Sequence, residues 1–171
     1  MDKIKWVIIL SQEQEKTTLL AVIRIRGTVN VHFKVQETLN LLNVRKSNYM
    51  TLIPNTPSNL GMLNKARDFI TWGEINPKVL EHVLRKRGEL RGKTNLTDKH
   101  VKENTNYPTI TSLAKALHNG ELSLKEIPDM KKFFRLHPAR KGLKATKKGF
   151  AEGGDVGYRG EAINELIVRM A

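Results

Sequence analysis

The run Leu19-Leu-Ala-Val-Ile23 constrains the fold most. Five consecutive residues are apolar, Arg24-Ile-Arg26 follows, and Gly27 stops the run. A strand sends successive side chains to opposite faces, so a run that is apolar throughout needs cover on both faces of its sheet. Ala21, Ile23 and Ile25 share one face, and Arg24 and Arg26 share the other. That Arg pair reads equally as a solvated strand end or as a nucleic-acid contact. Residues beyond Ile75 are expected to cover the sheet face turned away from residues 31–44.

The segments after this strand give an order. Residues 31–44 carry Val31, Val35, Leu39 and Leu42 at helical spacing, with Asn30 as N-cap and a lone His32 read as structural or solvated. Residues 48–53 read as a second strand, stopped at Pro54. Thr56 and Pro57 form the N-cap and N1 pair of a helix that turns Leu60, Leu63 and Ala66 inward. Residues 70–75 are the third strand. The order β-α-β-α-β over residues 19–75 suits a small sheet with helices on one face, an α+β core. Asn76-Pro77 opens another helix that ends near Gly88, with Val79, Leu80, Val83 and Leu84 on one side. Shorter helices are expected from Thr97-Asp98 to Glu103 and from Pro108 to Asn119, and a last amphipathic helix from Glu161 to Met170. Residues 1–18 read as an N-terminal extension whose residues 4–10 suit a short strand. Residues 76–171 read as a helical extension that packs back on the core.

Charge singles out one part of that extension. The chain carries net charge +13, with +9 of it in residues 85–171 and +4 in residues 1–84. Residues 131–150 hold eight Lys or Arg and no acid, with Phe133, Phe134 and Phe150 interleaved. Gly142, Gly149, Gly153, Gly154, Gly157 and Gly160 punctuate residues 131–160. The stretch reads as a basic arm: a strand at residues 132–136, a long cationic tip, and a return strand at residues 156–159 that closes a hairpin. Its natural partner is a polyanion with regularly spaced phosphates.

Other chemistry finds little support. The sequence has no cysteine, which removes disulfides and Cys-type zinc sites. Its five histidines show no i,i+4 pair and no acid cluster beside them, so no metal is expected. The glycines of residues 153–160 lack the Gly-Lys-Ser/Thr ending of a phosphate loop. No Gly-x-Ser-x-Gly elbow and no pair of working carboxylates is visible. No apolar run reaches the roughly 18 residues of a membrane span. On residues alone the expectation is a nucleic-acid partner; a free basic binder of chromatin type and an RNA-modifying enzyme are rival readings.

Several segments then carry a resemblance: Ala21-Val-Ile-Arg-Ile-Arg-Gly27, Leu52-Ile-Pro-Asn-Thr-Pro-Ser58, Gly61-Met-Leu63, Thr71-Trp-Gly-Glu-Ile75, Phe134-Arg-Leu-His-Pro138, Gly153-Gly-Asp-Val-Gly-Tyr-Arg-Gly-Glu161, Ile163-Asn-Glu-Leu-Ile167 and Arg169-Met170. In this order they resemble the large-subunit ribosomal protein thirty family in its long archaeal and eukaryotic form, from about Leu19 to the end. Ala139 stands where that form often repeats Pro, and residues 1–18 have no counterpart in it. The resemblance implies a ferredoxin-like variant, with a three-stranded antiparallel sheet and the first strand central. It implies a structural, non-catalytic protein of an archaeal large ribosomal subunit in the cytoplasm. Its partners would be large-subunit rRNA, near 5S rRNA, and other ribosomal proteins, with no cofactor, membrane or small-molecule substrate. The residues expected on RNA are Arg24, Arg26, Arg85, Arg87, Arg91 and Lys93, then Arg135, His137, Arg140, Lys141, Lys144, Lys147, Lys148 and Arg159 of the arm. Phe133 and Phe150 are candidates for stacking on bases.

Overall fold

The computed structural model describes residues 18–92 and 94–171; the strand expected at residues 4–10 and the position of Lys93 lie outside them. The apolar run forms β1 (Leu19–Arg24), the middle strand of the sheet. Two antiparallel neighbours flank it, β2 (Tyr49–Pro54) and β3 (Ile70–Glu74). Between them run α1 (Phe33–Leu41) and α2 (Pro57–Lys65). Thr56 caps α2 by accepting a hydrogen bond from the Asn59 amide, with Pro57 in the first turn. The cap of α1 is His32, which accepts from the Lys34 amide, and not Asn30. Asn30 has φ +55°, a left-handed residue in the turn before the helix.

The sheet is larger than the resemblance implied. It has five strands in the order β4-β2-β1-β3-β5, and it is mixed. β4 (Phe134–Arg135) adds antiparallel to β2, and β5 (Gly157–Tyr158) adds parallel to β3. The two ends of the basic stretch therefore sit on opposite edges of the sheet. The expected hairpin does not form, because each end finds an open edge of the central three strands instead.

Both faces of β1 are covered. On one, Leu20 and Val22 pack with Leu39, Leu42, Val44, Leu63, Ala66, Ile70 and Trp72, the layer of α1 and α2. On the other, Ala21, Ile23 and Ile25 join a larger cluster. That cluster takes in α3 (Pro77–Arg87), α4 (Asp98–Asn104), α5 (Ile110–His118) and α6 (Ile163–Met170). Leu60, expected inside, is 37% exposed, while Leu63 of the same helix is fully buried.

The last helix is fastened chemically as well as by packing. Ile163, Leu166, Ile167 and Met170 are each 1% exposed or less. Burial of such a side chain stabilises by about 1.5–3 kcal/mol. The Asn164 amide group bridges three segments: its oxygen accepts from the Asn76 amide at 2.8 Å, and its nitrogen donates to the carbonyls of Glu74 and Glu161. The chain entering α6 crosses β3 so closely that a Cβ on Gly73 would lie 2.0 Å from the Gly160 oxygen. Only glycine fits there.

Candidate nucleic-acid interface

The arm leaves β4, passes the C-terminal end of α6 and returns to β5. Along the way it satisfies carbonyls that the end of a helix leaves without partners. The His137 amide donates to the Met170 oxygen, and the Arg140 amide to the Arg169 oxygen. Arg169 reciprocates, its guanidinium donating to the carbonyls of Arg140 and Gly142. The turn between them holds Lys141 at φ +64° and Gly142 at φ +71°. A lysine in that region costs of order 1 kcal/mol, so the bracket from Arg169 holds a turn the chain would not choose alone.

Residues 144–159 are organised around one buried acid. The Asp155 carboxylate accepts from the Ala145 amide at 2.8 Å and pairs with Arg159 at 3.0 Å. Both side chains are nearly enclosed, at 7% and 8% exposure. Burial alone would raise the Asp155 carboxyl; the Ala145 amide and the Arg159 guanidinium outweigh it and hold the group below the usual carboxylate range. Arg159 also donates to the Asp155 carbonyl and lies 4.6 Å above the centre of the Phe150 ring. Gly154 closes the loop: a Cβ there would stand 2.1 Å from the Lys148 oxygen. Asp155 and Gly154 escaped the sequence reading as functional residues. The signal was the pair of acids, Glu152 and Asp155, that ends a long acid-free cationic run, with two glycines between them.

The arm's remaining cations point outward. Arg140, Lys141, Lys144, Lys147 and Lys148 are exposed, as is His137. Among the described residues none of the five is in an ion pair. Arg135 is exposed on the β4 edge, 5.9 Å from the ring centres of both Tyr49 and Phe133. Those two rings stack on each other at 4.8 Å and 6°. Phe133 is thus half-buried against Tyr49, and one face of Phe150 is covered by Arg159.

Other cations expected on RNA are engaged elsewhere. Arg24 is a correction: at 1% exposure it is an interior residue. Its guanidinium donates to the carbonyls of Arg26, Val44, Arg45 and Gly27 at 2.7–3.2 Å. Alternation puts Arg24 on the face of Leu20 and Val22, which α1 and α2 cover, and the loop after α1 closes over this end of β1. Arg159 is likewise enclosed. Arg26 is half-buried over the Phe69 ring and donates to the Asp68 carbonyl. Arg85 pairs with Glu81 at 3.2 Å and Asp98 at 3.5 Å, and Arg91 meets Asp129 at 3.8 Å. Arg87 is half-buried, and its Nε is enclosed without a hydrogen-bond partner. Among the described residues, no group of three or more His, Asp or Glu is placed to hold a metal ion. No helix there is long and apolar enough to cross a membrane.

Comparison with known proteins bears on this arrangement. The model of the ribosomal protein L30p/L7e family matches residues 20–70, which take in β1, α1, β2 and α2 and stop at the first residue of β3. The chain is 49% identical to large ribosomal subunit protein uL30 of Archaeoglobus fulgidus over 152 residues, covering 89% of this chain and 99% of that protein. It is 47% identical to the protein of the same name from Nanoarchaeum equitans, over 88% of this chain and 97% of that one. With Methanosphaera stadtmanae the figure is 45%, over 89% and 99%. The likeness therefore takes in the basic arm as well as the core. The chain belongs to the ribosomal protein L30p/L7e family.

Proposed function

We propose that this chain is a structural, non-catalytic constituent of the large ribosomal subunit, and that its arm binds and stabilises large-subunit rRNA. Family membership supports the first part. The observation that carries the second is the set of five outward cations, Arg140, Lys141, Lys144, Lys147 and Lys148. Among the described residues they form no ion pair, and they stand on a loop held from inside by Asp155 and Arg159. A loop already ordered loses less entropy when it meets a rigid polyanion. Arg135 and His137 extend this surface toward the β4 edge. Arg26, Arg85, Arg87 and Arg91 are secondary contacts, and Lys93 joins them from outside the described residues. Arg24 and Arg159 act on RNA only through the shape they hold. The ferredoxin-like unit of residues 19–75 serves as the platform and residues 76–171 as the part that carries the arm. The position proposed on the subunit is near 5S rRNA and beside other ribosomal proteins.

The test replaces those five cations by Gln and measures binding to large-subunit rRNA across a salt series. Each phosphate contact adds about 0.7–0.9 to the slope of log affinity against log salt, so losing five should flatten it by about 3.5 to 4.5 units. Thermal stability should stay within about 0.5 kcal/mol, as for surface changes generally. A wild-type slope in the variant would move the contact surface elsewhere. Retention of the wild-type chain on large subunits through a high-salt sedimentation separates a ribosomal constituent from a free basic binder, which washes off.

A further inference from the structure

A cavity of about 870 Å³ opens between the arm and α6. It was no part of the sequence reading, and a cationic loop needs no cavity to rest on phosphates. Its volume lies within the range of about 300–1,000 Å³ typical of small-ligand pockets. Its lining divides by chemistry. Arg140, Lys141 and Lys144 bring the exposed cations. Leu143, Phe150 and Val168 bring apolar surface, and Phe150 and Val168 remain 37% and 50% exposed. Glu165 accepts hydrogen bonds and donates none, so it suits a base amino group and not a phosphate.

This lining is held in place before any ligand arrives. Arg159 lies on the Phe150 ring, and Asp155 fixes Arg159. Arg169 ties the carbonyls of Arg140 and Gly142 to α6. An aromatic ring and an aliphatic side chain kept open to water, beside three unpaired cations, match a ligand that is flat and apolar in one part and anionic in another. A base inside a duplex is stacked on both sides and cannot enter. An unstacked nucleotide can, and RNA recognition commonly places such bases on aromatic rings. We propose that this cavity takes one unstacked nucleotide of single-stranded RNA, its base against Phe150 and its phosphates at Arg140, Lys141 and Lys144. The inference rests on the arm binding rRNA, as proposed above, and adds which element of the RNA it reads.

The experiment compares three labelled probes on the full chain at low salt: a short oligoadenylate, a fully abasic oligomer of the same length and charge, and a duplex of that length. Wild type should bind the oligoadenylate about tenfold more tightly than the abasic oligomer, the size of one base–aromatic stack. Phe150→Leu should abolish that difference and leave abasic binding and its salt slope unchanged. Glu165→Gln, which keeps the shape of the lining but weakens the acceptor for a base amino group, should narrow that difference while leaving the salt slope unchanged. Equal wild-type affinity for the intact and abasic oligomers overturns the inference, as does an equal loss on both in Phe150→Leu, tighter binding of the duplex, or no binding of the oligoadenylate. If the abasic oligomer binds as well as the intact one with a steep salt slope, the cavity reading fails and the arm's role stands. Loss of the salt slope itself removes both.

Discussion

Two arginines are buried in this protein, one at the end of the central strand and one in the arm, and they are neutralised in opposite ways. Among the described residues Arg24 pairs with no carboxylate; four backbone carbonyls from two loops surround its guanidinium. Burial lowers its pKa, yet an arginine remains charged under any ordinary condition. Arg159 instead meets Asp155 at 3.0 Å, with both side chains enclosed. Oriented dipoles therefore suffice where a thick apolar core already fixes the loops. The arm has few apolar residues of its own and needs a full counter-charge to define its shape. The pairing also leaves the arm's interior neutral, so its outward field comes from the exposed cations alone.

Removing the counter-charge is the largest expected effect. Asp155→Ala leaves Arg159 enclosed without a counter-charge, with only the Asp155 carbonyl, the Thr71 hydroxyl and the Phe150 ring beside it, and frees the Ala145 amide, a loss of about 3–5 kcal/mol on the scale of broken buried ion pairs. Urea denaturation should report it, with residues 144–159 losing amide protection well before β1. A cost within about 0.5 kcal/mol, the level of a surface change, would show that the arm does not depend on this pair. Arg24→Met should cost less, about 2–3 kcal/mol, because the methionine keeps much of the side-chain bulk and part of the freed carbonyl surface can take up water. Its salt slope on rRNA should match wild type. A slope flatter by about one unit would mean that Arg24 reaches a phosphate after all.

The contrast also explains what could be read from the sequence. The central strands and α2 declare themselves locally: an apolar run, then Thr56 and Pro57 in their capping places. α1 does so less sharply, since a left-handed Asn30 leaves the cap to His32. The edge strands are two residues each, and their partners lie more than eighty positions away, as in Tyr49 with Arg135 and Thr71 with Gly157. Nothing in Phe134–Arg135 or Gly157–Tyr158 states which edge will accept them, so a hairpin was the natural but mistaken reading. For the site, the charge run marked the arm, and the five outward cations of residues 140–148 were legible from it. Composition cannot separate an outward arginine from an inward one. Arg24 lies inward because carbonyls of the loop just after it and of the loop at residues 44–45 converge on it, and Arg159 because an acid four residues before it is enclosed with it.

Acid should divide the two regions by the smallest effect. A carboxyl held below its usual range contributes stability that is fully present above its unfolded pKa, about 3.9, and is lost as pH falls through the folded value. Asp155 is such a group, through the Ala145 amide and Arg159 and against its own burial. Among the described residues the acceptors around Arg24 are four carbonyls, which do not titrate. Protection factors for the Ala145 amide should therefore step down as pH is lowered below about 4. Those of the β1 amides should hold over the same range. In Asp155→Asn the side chain keeps an acceptor but has no proton to gain, so the Ala145 amide should start less protected and show no acid step. A uniform decline of both regions, or a step that survives in the Asn variant, would mean that the arm and the core answer to the same titrating groups. The contrast between a dipole-held arginine and a charge-held one would then have no consequence in solution.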